Sequence, residues 1–81
     1  MNKPWVEFHL RQALEQLQHT LSELRGPDFT EVELGSDLEE AYSHLNIAWH
    51  SRGEPVERTA NLTEEDYHRW RAFPSDIYLG P

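Results

Sequence analysis

Apolar residues recur at three-to-four spacing along most of this chain, and the pattern divides it into elements before any composition is considered. Val6, Leu10, Ala13, Leu14, Leu17, Leu21 and Leu24 form one continuous stripe. The residues between them (Arg11, Gln12, Glu15, Gln16, Gln18 and Glu23) are polar and favour helix. The spacing predicts a helix over 4–25. Pro4 is tolerated in its first turn, where the missing N–H has no partner to lose, and Gly26-Pro27 ends it. Trp5 and Phe8 fall off this stripe, on the far side of the helix.

A second stripe, Leu38, Ala41, Tyr42, Leu45, Ala48 and Trp49, predicts a helix over 36–52. Ser36 with Glu39 reads as a capping box, acids fill the first turn, and Gly53 and Pro55 stop the helix. A third, shorter helix is expected over 63–73. Thr63 and Asp66 resemble a capping box, Tyr67 and Trp70 face inward, and Pro74 terminates it. Residues 27–35 read as an extended connection, in which Thr30, Val32 and Leu34 alternate with Glu31 and Glu33. A strand over 29–34 would need a partner strand that one short chain does not supply.

These elements imply one all-α domain over 1–81: a small three-helix fold, in which an antiparallel hairpin packs through its leucine-rich stripes and a short third helix caps it. The same stripes serve a monomer or a homodimer. Eighty-one residues leave little room for a second core and a thin stability margin.

Composition narrows the functional classes. The chain has no cysteine, which removes disulfides and thiolate metal sites and fits a reducing compartment. No apolar run approaches a membrane span, and the first residues lack the order of a signal peptide, so a soluble cytoplasmic protein without a membrane role is the expectation. Seven basic against fifteen acidic residues give a formal charge of −8. No Lys or Arg lies between Arg25 and Arg52, whereas Asp28, Glu31, Glu33, Asp37, Glu39 and Glu40 do. Such a surface repels phosphate backbones, so no nucleic-acid partner is expected.

Five histidines raise the question of metal. Glu65-x-x-His68 has the spacing used in di-iron bundles, and Glu40 and His44 stand one turn apart. A di-iron centre needs more such pairs than this chain supplies, so no cofactor is expected and Glu40, His44, Glu65 and His68 are minor candidates only. No glycine-framed nucleophile and no phosphate-cradling loop is present, and the paired acids occupy first turns, where the helix dipole explains them. The expectation is therefore not an enzyme.

Nine aromatic side chains, three each of Trp, Tyr and Phe, exceed what a small three-helix core needs. The leading expectation is a non-catalytic protein-interaction or self-associating helical module, with Trp5, Phe8, Ile47, Trp70 and Tyr78 as partner-binding residues. Ile47 lies opposite the main stripe of the second helix, so a third layer or a partner must cover it. The alternatives are a small metal- or ligand-binding protein and an acidic inhibitor that mimics nucleic acid through residues 28–40.

Overall fold

Local side-chain capping sets where the three longer helices begin. The Asn2 side-chain oxygen accepts the Trp5 N–H at 3.3 Å, and Pro4 sits in the first turn that follows. The Thr30 hydroxyl accepts the Glu33 N–H at 3.3 Å, with Glu31 and Glu33 in the turn it opens. Thr63 and Asp66 form a reciprocal capping box. The computed structural model describes residues 1–76. Its helices are α1 (Lys3–Leu24), α2 (Glu31–His50), α3 (Val56–Thr59) and α4 (Glu64–Trp70).

The small all-α class holds, with changes inside it. The second helix starts at Glu31, so the extended connection expected over 27–35 shrinks to the residues before Thr30 and Ser36 lies within the helix. Thr30 caps first, and Gly35 continues in helix with open space where a side chain would be. One further turn, α3, forms in the expected loop, and the last helix ends at Trp70. No strand occurs among the described residues.

α1 and α2 form the antiparallel hairpin. Asn2 N–H donates to the Arg52 carbonyl at 2.7 Å, the Trp5 indole to Ser51 Oγ at 2.7 Å, and Thr20 Oγ1 to Asp37 Oδ2 at 2.9 Å. The register therefore runs from Asn2 beside Arg52 to Thr20 beside Asp37.

The hairpin does not close through its leucines. The buried residues of α1 are His9, Ala13 and Thr20, and α2 meets them with Ala41, Ala48 and the half-buried His44 and Asp37. Small side chains allow the two backbones to approach, and the large ones are turned away to one side. α4 packs on the opposite flank of α2. There Ile47 is buried, Trp70 is buried, and Asn46 Nδ2 donates to the Arg71 carbonyl at 2.7 Å. The chain continues along α2 to Asp76, with His50 Nε2 2.8 Å from the Ala72 carbonyl and the Trp49 indole donating to Asp76 Oδ1 at 2.9 Å.

Candidate interaction surface

Leucine positions on α1 define the surface. Leu10 is 48% exposed, Leu14 52%, Leu17 40%, Leu21 64% and Leu24 56%. At 100° per residue they cluster about a quarter turn from the buried His9–Ala13–Thr20 flank. On α2, Leu34, Leu38, Tyr42, Leu45 and Trp49 stand a quarter turn from the Ala41–Ala48 flank, on the same side of the hairpin. A groove of about 300 Å³ joins the two helices at one end, lined by Val6, Leu10, Leu45, Ala48 and Trp49 with Met1 and Arg52 at its mouth. The Arg52 guanidinium lies 3.7 Å from the Trp49 ring centroid, a cation–π contact that holds the indole at the groove's edge.

Among the described residues, prolines aside, the buried apolar side chains are Ala13, Ala41, Ile47, Ala48 and Trp70. Three of those five are alanine, whereas five leucines of α1 face solvent. That distribution reverses what a self-sufficient monomer requires.

The aromatic candidates separate. Trp5 is half-buried and stacks on Phe8, which is 52% exposed, with ring centroids 6.2 Å apart. Val56 and Thr59 of α3 line the small cavity beside this pair. Ile47 and Trp70 are buried within the chain, so a third layer from the same molecule covers Ile47. Tyr78 lies outside the described residues.

Inside the hairpin, His9 Nδ1 and His44 Nδ1 are 3.0 Å apart, so one ring donates and the other accepts. Glu40 Oε1 stands 3.4 Å from His44 Nε2. His9 Nε2 is buried and has no hydrogen-bond partner. Burial, followed by the neighbouring His44, pulls the His9 pKa down from 6.5 to about 4. Glu65 and His68 are exposed on α4, where they border a shallow depression with Tyr67 and Arg71. Among the described residues no group of three or more His, Cys, Asp or Glu is disposed to hold a metal ion.

Asp66 is the other buried polar centre. Its Oδ1 accepts from Arg58 at 2.8 Å and Arg69 at 2.9 Å, and its Oδ2 accepts from the Thr63 N–H at 3.0 Å. The Arg58 hydrogen bond and those from Thr63 hold its carboxyl below the usual carboxylate range. This cluster ties α3 to the start of α4, which makes it a structural knot.

Sequence reasoning placed the leucines of α1 in the core and so missed them as surface. One signal was available: α1 carries more large apolar side chains than the alanine-bearing stripe of α2 can cover. No described helix is long and apolar enough to cross a membrane. The chain matches no protein-family model, no curated protein and no solved structure.

Proposed function

We propose that this chain is a non-catalytic protein-interaction module whose working surface is the leucine face of the α1–α2 hairpin. The observation that carries the reading is the row Leu10, Leu14, Leu17, Leu21 and Leu24, each 40–64% exposed on one side of one helix. An apolar face this long, bordered by charged residues, is stable in water when another protein surface covers it. Burying such leucines contributes about 1.5–3 kcal/mol per side chain when exposure becomes complete burial, and about half that from the exposures seen here. Phe8 extends the apolar surface on the other side of α1 and is a secondary contact in this reading.

The test is the double variant Leu14→Gln/Leu21→Gln, which keeps helix-forming side chains at both positions and removes the apolar contact. Wild-type chain in a lysate of its own host is expected to migrate well above its 9.6 kDa, and the variant at the monomer position with unchanged helical circular dichroism. Wild type migrating as a monomer in that lysate contradicts the reading.

A further inference from the structure

Trp49 is shared between two parts of the chain. Its indole N–H donates to Asp76 Oδ1 at 2.9 Å, and it lines the apolar groove of about 300 Å³ together with Val6, Leu10, Leu45 and Ala48. The residues after α4 are led there along α2. Asn46 Nδ2 donates to the Arg71 carbonyl at 2.7 Å, and His50 Nε2 stands 2.8 Å from the Ala72 carbonyl. Asp76 is therefore held at the rim of the groove, and Ile77, Tyr78 and Leu79 follow it in sequence. We infer that Ile77 and Leu79 seat in this groove, as an intrachain cover for the Leu10–Leu45 end of the leucine face. This goes beyond the docking reading and does not depend on it.

Reach, spacing and composition agree. Leu79 is three residues beyond Asp76, a span of at most about 11 Å. Leu45 and Trp49 lie one turn apart on α2, about 6 Å along its axis. In an extended run Ile77 and Leu79 project to the same side about 7 Å apart, and Tyr78 projects to the other. Two aliphatic side chains then match one helical turn of the groove wall, and the Tyr78 hydroxyl is left to water. Ser75-Asp76 precede the three residues and Gly80-Pro81 follow them, so the apolar character is confined to the part that reaches the groove.

Tethering favours this occupant over a separate molecule. Asp76 fixes one end of the segment beside the groove, so the segment meets it at an effective concentration on the order of mM and without the entropy loss of association. The face left for another protein runs through Leu14, Leu17, Leu21 and Leu24, each 40–64% exposed. A partner that covers the whole row has to displace Ile77 and Leu79 first.

The purified chain has no cysteine, so maleimide labelling reads a single introduced thiol. Leu10→Cys reports the groove and Leu21→Cys the far end of the same row, each rate divided by its rate in urea-unfolded chain. Adding Ile77→Ser/Leu79→Ser is expected to raise the Leu10→Cys rate at least about fivefold and to leave the Leu21→Cys rate unchanged. An unchanged Leu10→Cys rate overturns the seat. An equal rise at both thiols traces the effect to a general loosening of the fold and overturns it as well. Protection of Leu10→Cys that grows with the concentration of purified chain places a second copy in the groove and overturns the intrachain cover. The docking reading is tested separately, through Leu14 and Leu21 in lysate.

Discussion

Replacing Trp70 by alanine is expected to remove about 3–5 kcal/mol of stability, most of what a chain of this size has. Trp70 is 4% exposed and is the largest residue of a buried apolar set otherwise made of Ile47 and three alanines. It lies edge-on to Tyr67, with ring centroids 6.4 Å apart, on the helix that packs against α2. Its removal leaves a void where α4 packs on α2, and the cost is the lost burial plus whatever cavity incomplete relaxation leaves. Urea titration at fixed protein concentration measures the effect as a lower midpoint with little change in slope. Trp70→Phe keeps part of the volume and is expected to cost less than half as much. A loss below about 1 kcal/mol for Trp70→Ala would mean that α4 is not part of the core.

The second large effect is a loss of stability in mild acid. His9 is held neutral in the folded chain, with its pKa lowered to about 4 from 6.5. Between those values the unfolded chain binds the extra proton, so stability falls as pH falls through pH 6.5 to about 4, and His9 contributes no further loss below that range. The full linkage is at most about 3 kcal/mol, less whatever solvent screening relieves. The physical cause is visible in the hairpin. The two Nδ1 atoms 3.0 Å apart share one hydrogen, and a second proton sets two N–H groups against each other. Trp5 and Phe8 pack edge-on to the His9 ring, leaving water little access to solvate a charge. Glu40 approaches His44 from the outer side and does not reach His9. Replacing both partners, His9→Leu/His44→Leu, removes the charge and both polar groups, so thermal stability should become flat over that range while remaining near the wild-type value at pH 7. A variant as acid-sensitive as wild type would assign the loss to other groups. Asp66 is separable, because its lowered carboxyl pKa contributes stability present above its unfolded pKa and lost only as pH falls below about 4.

Much of the secondary structure was legible because it is written locally. Pro4, the leucine row and Gly26-Pro27 bracket α1 to within a residue or two, and Thr63 with Asp66 marked the α4 capping box. The start of α2 was not legible, since Ser36–Glu39 read as the cap and the alternation over 30–34 mimicked an extended segment, whereas the helix is capped earlier, at Thr30. The earlier cap won because its acids already sit at the helix N-terminus and Gly35 costs the helix only about 1 kcal/mol.

Which face each helix buries was not legible either. Periodicity groups side chains into faces, but it does not say which face meets which helix. On α1 the leucine row and the His9–Ala13–Thr20 flank adjoin, and the hairpin closed through the flank whose small and polar groups match Ala41, His44 and Asp37. The His9–His44 contact depends on the register between two helices, and the Asp66–Arg58 contact on the turn of α3, so neither has a signature in spacing. Ile47 was recognised as needing cover, and α4 supplies it.

In the proposed function the leucine face is covered by another protein surface when the protein works. The chain has no cysteine, so a single introduced thiol reports that directly. Maleimide labelling of Leu17→Cys, at the middle of the row, and of Ser22→Cys, on an exposed flank of the same helix, would be compared in native host lysate, each rate divided by its rate in urea-unfolded chain. Protection of the Leu17→Cys thiol by at least about tenfold relative to the Ser22→Cys thiol is the predicted result. Equal normalised rates would show the leucine row open to water and contradict the claim.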